Sequence, residues 1–391
     1  MTRWLSRKVI LGSLCLFYCA VVIGILVHGI HNREYNWDMV FYIGIAMSFS
    51  NPDPVATHHQ LFTYLAHSIP PSQFHQLIGT RYTTAVYHSY ELYEKIVPFY
   101  SVKPLYIWLI YILHRLSVPW IVAPLVINVA SVAITAIVGL IWSLRRRDVS
   151  LSSYCVLAAT ALMASSSVFR VLTVMTPDAL ALCLITLFVV CVAAHKLIGA
   201  GVFSALAVLC RPDILIFVCG VLFLYGLYHS RTARWTVWLS TVIDVLLYGT
   251  VSRLQHGYSW GTLFVHAFYS SGEFDPTKNA SLMTPSFYWR TVVQQVWAFI
   301  TNTSVMDFLM VAILLLAAGL SWRTTGASRG VDHRVPLWIL VVSSFSIIIH
   351  GLLFPNADDR FFVYEYVAIF LAGTEIVCHR STPADSAHIK A

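Results

Sequence analysis

Residues 9–30 read VILGSLCLFYCAVVIGILVHGI, an apolar run that follows Arg3, Arg7 and Lys8. Crossing the roughly 30 Å hydrocarbon core of a bilayer takes about 20 apolar residues at 1.5 Å each. This run is long enough. A cleaved signal peptide has a shorter apolar region with a small-residue cleavage site behind it. The run therefore reads as a retained first transmembrane helix with its N-terminus in the cytoplasm.

The rest of the chain repeats the pattern. Of 391 residues, 58% are hydrophobic and 11% are charged, and mean hydropathy is +0.71. A soluble domain carries about 25% charged residues, so a soluble globular chain and a disordered one are both excluded. Apolar runs near 120–144, 150–171, 176–195, 197–210, 212–228, 235–251, 303–321, 336–354 and 361–378 predict further spans. The expected fold is all-α: one polytopic transmembrane domain over 1–391, with about ten helices and both termini in the cytoplasm. Residues 31–118 form the first outer loop, of which 31–102 is too polar to span, although 39–49 could lie along the membrane surface. Within it, 104–116 (PLYIWLIYILHRL) is too short for a comfortable span and reads as a shallow juxtamembrane helix. Residues 252–301 form a second large outer loop, an acceptor platform or a structural cover.

The net charge of +7 and pI near 9.0 are consistent with this topology. The basic residues are scattered between apolar runs rather than gathered on one face, which argues against a nucleic-acid partner. The topology places fourteen Lys and Arg but only Asp148, Asp332 and Asp385 on the cytoplasmic side, about +11. Eleven basic and twelve acidic residues remain outside, about −1. That asymmetry follows the positive-inside rule, and the many Trp and Tyr at the ends of apolar runs suit interfacial belts. The eight cysteines (15, 19, 155, 183, 191, 210, 219 and 378) lie in or beside apolar runs without CxxC spacing, and read as packing residues. His58, His59, His67, His75 and His88 crowd the first loop, but adjacent His58 and His59 lack helical metal-ligand spacing. No metal site is assigned and no cofactor is required, although a divalent cation is compatible with the outer acids. Walker, GxGxxG, HExxH and GxSxG motifs are absent from the sequence.

Chemistry is therefore sought among polar residues at the outer loop–helix junctions. Asp38, in Tyr35-Asn36-Trp37-Asp38, is a candidate general base, or a solvated loop acid. Lys103 precedes Pro104, whose first-turn preference puts the lysine near a positive helix end, where an anion is received; a lysine snorkelling at the interface is the competing reading, and the favoured one for this residue taken alone, and Tyr106 follows on that helix. Asp178, in Thr176-Pro177-Asp178, is either an N-cap or a functional acid, with Arg170 as a possible partner. Arg211-Pro212-Asp213 lies between two apolar runs, where an ion is costly unless paired or functional. The late turn 356–364 carries Arg360 and Tyr364. An arginine fork suits phosphate, and a structural Arg211–Asp213 pair competes with that reading. Asp244, Asp307 and Glu375 fall in or near spans and are isolated, so they carry little weight.

In order and in shared membrane side, these elements resemble the GT-C integral membrane glycosyltransferases, such as protein O-mannosyltransferases and lipid A aminoarabinose transferases. The resemblance covers residues 1–230 and the Arg360 turn. It departs in having one proline after Lys103 and in Trp37, rather than an acid, before Asp38. It implies transfer of a sugar from a polyprenyl-phosphate donor to a lipid, glycan or protein acceptor, with inversion. It implies that Asp38 is the base and that Asp178 orients Asp38 or the acceptor. Lys103, Arg211 and Arg360, with Tyr106 and Tyr364, would hold the donor. The site would face the extracytoplasmic side of a bacterial inner membrane, in contact with membrane lipids. Two other classes compete: a transporter or flippase of a lipid-linked sugar, and a non-catalytic subunit of glycan assembly.

Overall fold

The computed structural model describes residues 2–145, 149–268, 274–302, 334–356 and 358–379. Among them, one isolated bridge between Glu34 and Val174 is the only departure from helical regular structure.

After α1 (Thr2–His31), the first loop folds into six helices: α2 (Trp37–Ser48), α3 (Pro54–Ser68), α4 (Pro71–Ile78), α5 (Arg81–His88), α6 (Tyr90–Ser101) and α7 (Pro104–Arg115). Local sequence fixes most of these starts. The Asn36 side chain accepts from Met39 N, Asp53 accepts from Val55 and Ala56 N, and Ser89 accepts from Leu92 N. Thr80 and Thr83 form a reciprocal capping box, and Pro104 opens α7 at its first position.

There follow α8 (Ala123–Leu144), α9 (Val149–Met163), α10 (Ser166–Thr173), α11 (Asp178–Ala193) and α12 (Leu197–Cys210). A 3-10 turn (Pro212–Ile214) leads to α13 (Leu215–Tyr228) and α14 (Arg231–Ser252). The second loop holds α15 (Trp260–Phe268), α16 (Pro276–Asn279) and α17 (Pro285–Asn302). The chain closes with α18 (Arg334–Leu353), a 3-10 turn (Asp359–Phe362) and α19 (Val363–His379).

Among the described residues four helical stretches are long and apolar enough to cross a membrane: Arg7–His31, Ala123–Leu144, Arg231–Gln255 and Arg334–Leu353. Two bent pairs, α6 with α7 at 107° and α9 with α10 at 50°, raise the number to six if each pair is one span. Helices α11, α12 and α13 match the expected positions but have only 16, 14 and 14 residues. The span expected at 303–321, with Asp307, lies outside the described residues. Exposed apolar side chains on α1 (Leu16, Phe17, Ile23) and α14 (Leu239, Val242, Leu246) form surfaces suited to lipid.

Two expectations are corrected. The continuous span over 150–171 is broken: the Ser165 side chain accepts from Val168 N, so a new helix starts there. The segment 39–49 does not lie free along the membrane surface. Met39, Val40, Phe41 and Ile43 are all fully buried, so α2 is a core helix of the first-loop layer. Gly44 makes this possible, because a methyl group there would land on the Tyr93 hydroxyl and 2.8 Å from Leu61 Cδ2.

Burial divides into two apolar cores. One joins α1, α8–α14, α18 and α19; the other joins α2–α7 with the start of α8. Helix ends meet at the seam between them. Glu34 N, just past α1, donates to Thr173 O at the end of α10 (2.9 Å). Fully buried Asn128, near the start of α8, donates to Val171 O (3.1 Å) and Val174 O (2.8 Å). The second loop covers α6: Lys95 pairs with Asp275 at 2.6 Å, and Ser101 Oγ donates to Leu254 O at 3.0 Å.

Candidate functional site

The seam holds a dense charged cluster built from separate helix ends. Asp38 lies in the first turn of α2, where the positive end of the helix favours a carboxylate. Tyr100 Oη donates to its Oδ1 at 3.3 Å, and Arg360 Nη2 lies 3.6 Å from its Oδ2. Tyr100 is itself held by packing, stacked on Phe41 with centroids 4.3 Å apart. The Asp38 side chain keeps 31% of its surface exposed, so the carboxylate is reachable.

Asp178 occupies the first turn of α11 and is 4% exposed. Its Oδ1 accepts from Arg211 Nη1, and its Oδ2 accepts from Thr176 Oγ1 at 2.6 Å with Arg360 Nη1 3.9 Å away. The cap expected of Thr176 or Asp178 is not formed: Pro177 is the capping residue, without a side-chain bond. The Asp178 oxygens are taken up by Thr176 and the arginines instead. The Arg170–Asp178 pair is also corrected. Arg170 reaches outward to Glu34 (3.4 Å) and Asp358 (3.6 Å), at the exposed rim.

Arg211 ends α12 and is clamped from two sides. Besides the Asp178 contact, its Nε and Nη2 donate to Asp213 Oδ1 (3.2 Å) and Oδ2 (2.7 Å) in a fork. His350 Nδ1 of α18 lies 3.5 Å from the same Oδ2. The Arg211 side chain is 5% exposed. Its donors are committed to carboxylates, so the structural-pair reading of Arg211 describes its contacts. Arg360 is set by Asp358, which accepts from Arg360 N (3.2 Å) and lies 3.1 Å from Nε. Phe361 sits between the two guanidinium groups, its ring centroid 4.9 Å from each Cζ.

Lys103, at the start of α7, brings its Nζ to 5.5 Å and 5.6 Å from the rings of Tyr42 and Tyr100. It has no carboxylate within ion-pair distance among the described residues. Burial pulls its ammonium below the ordinary lysine value, against the opposing pull of Asp38. Tyr106, fully buried, lies near Asp178 and Cys210 with a hydroxyl that lacks a hydrogen-bond partner. Tyr364 is also fully buried, its ring centroid 6.0 Å from Arg211 Cζ.

All seven candidates from the sequence thus converge, from α2, α7, α11, the end of α12, the turn before α19 and the first turn of α19. The sequence reading missed Tyr100, His350 and Asp358. Tyr100 stands three residues before Lys103, and that proximity is a usable signal. Nothing local marks His350, whose partner Asp213 is far away in sequence. Among the described residues no group of three or more His, Cys, Asp or Glu is placed to hold a metal ion. His58 is a structural residue: its Nε2 lies 3.2 Å from Val86 O and its ring packs on Phe62 and Tyr93.

No family model, curated protein or solved structure matches this chain.

Proposed function

We propose that the protein is an integral membrane glycosyltransferase of the GT-C type, using a sugar linked to a polyprenyl phosphate. The observation that carries the reading is the meeting of a reachable carboxylate, Asp38, with Lys103, which has no carboxylate partner among the described residues, and the less tightly held Arg360. In this reading an acceptor hydroxyl attacks the anomeric carbon and its proton passes to Asp38. The anomeric carbon–oxygen bond breaks, and the polyprenyl phosphate leaves with the bonding pair. Lys103 and Arg360 stabilise the charge growing on that phosphate. Asp178 and Arg211 hold the framework that places Arg360. A base opposite the leaving group gives inversion at the anomeric carbon.

The reading has about ten spans, both termini in the cytoplasm and the cluster on the extracytoplasmic face of a bacterial inner membrane. The acceptor is a lipid, glycan or protein hydroxyl. Mass spectrometry of lipid-linked sugars and surface glycans, with and without the gene, identifies donor and acceptor. Asp38→Asn keeps the shape and removes the base. It is expected to lower transfer by at least about 100-fold while expression and monodispersity persist. Full transfer by purified Asp38→Asn protein overturns Asp38 as the base.

A further inference from the structure

Away from the charged seam, Asp244 lies in the middle of α14 and is fully buried. Among the described residues neither of its carboxylate oxygens has a basic partner or meets a donor in good hydrogen-bond geometry. Ser240 lies one helical turn earlier on the same face, which packs on α12. The approach is close there, since a methyl group on Gly201 of α12 would strike Ser240 Oγ. Ser204 of α12, fully buried, is the polar neighbour of Asp244 across the interface. Cys219 of α13 is the titratable group that faces it.

The pocket brings no cation to Asp244 among the described residues. Ser204 Oγ donates to Gly201 O (3.0 Å) and Ser240 Oγ to Thr236 O (3.0 Å), and Ser204 is the hydroxyl that also reaches the Asp244 carboxylate. A buried carboxylate without a paired cation costs several kcal/mol, and ionisable residues inside a membrane face partners or a functional ion. Positive charge is what the pocket lacks.

We propose that Asp244, Ser204 and Ser240 form an intramembrane site for one monovalent cation between α12 and α14. The shared chemistry is a positive charge received by oxygen atoms. Its source is either a proton carried on the carboxyl and donated to Ser204 Oγ, or an alkali ion such as Na+.

The site is tested on the full chain in detergent micelles, with lipophilic dicyclohexylcarbodiimide as the probe and residue-resolved mass spectrometry as the readout. Labelling is followed against pH, with Na+ exchanged for choline at constant ionic strength, alongside thermal melts. With a proton, Asp244 labels regardless of Na+, and labelling slows as pH rises. With Na+, the ion protects Asp244 from labelling and raises the melting temperature. Asp244→Asn supplies its own amide donor, so it is expected to fold and to lose both responses. Ser204→Ala keeps the carboxyl and removes one oxygen; it weakens Na+ protection or changes the pH profile. The proposal is overturned if Asp244 neither labels nor responds to Na+. It is equally overturned if both substitutions leave labelling and melting as in the unaltered protein.

Discussion

Two arginines of the seam look alike in sequence and differ in how they are held. Arg211 is forked onto Asp213 and also meets Asp178, at 5% exposure. Arg360 stands 3.6 and 3.9 Å from Asp38 and Asp178, at 13% exposure. Removing one partner from a buried pair leaves uncompensated charge, a loss of about 3–5 kcal/mol. Arg211→Met is therefore expected to cost most of the folded, monodisperse yield. Arg360→Met is expected to fold with a much smaller drop in melting temperature and to lose binding of a lipid phosphate. Equal melting temperatures for the two variants would contradict this division of labour. The sequence could nominate both residues because each lies beside Pro or Phe at a junction between apolar runs. It could not rank them. The ranking depends on whether Asp178, 33 positions before Arg211, reaches it in space.

At the scale of the element, apolar runs made the long helices legible, together with the short α12 and α7, whereas the polar helices α3 to α6 of the first loop carry no such run. The buried placement of α2 was not legible. Its depth is set by α3, α6 and α7 around it, and by Gly44, whose missing side chain admits Tyr93 and Leu61. Gly44→Ala is expected to destabilise the first-loop layer by about 1–3 kcal/mol through overpacking, read as a lower melting temperature or faster proteolysis of that loop. The neighbouring α15 carries a pH dependence. His266 stacks on Phe99 at 4.9 Å, and Tyr82 Oη lies 3.3 Å from its Nε2, an arrangement that suits a neutral ring. Burial lowers its pKa from 6.5 to about 4. Between those values the unfolded chain binds a proton that the folded chain does not, so stability falls as pH drops from about 6.5 and levels off near 4. The cost is at most about 3 kcal/mol, and the slope disappears in His266→Gln. A melting curve that is flat through this window in the unaltered protein, with the same helix content, would refute it.

For the whole molecule, the apolar composition foretold a helical membrane protein, and the described helices supply four to six stretches fit to cross a bilayer. The bends at α6–α7 and α9–α10 were harder to read, because a hydropathy window averages over a one- or two-residue break. The topology has a direct test. A cysteine at Gln60, in α3, should label only from the extracytoplasmic side, and one at Ser230, which caps α14, only from the cytoplasmic side. Labelling of both from one side overturns the assignment.

The seam has a consequence for assembly. Asp178, Arg211 and Arg360 stand on elements of one apolar core and Asp38 and Lys103 on the other, so the contact of Arg360 with Asp38 exists only where both cores have closed on each other. A fragment that folds one core alone holds only part of the cluster. Any molecule that engages it, such as an isoprenoid phosphate, then recognises the finished bundle and not its pieces. Its binding free energy is added to the stability of the whole chain, by about 2.7 kcal/mol at 100 times its Kd. Such a ligand is a chemical chaperone for this protein, and its presence during extraction from the membrane should decide how much of it survives.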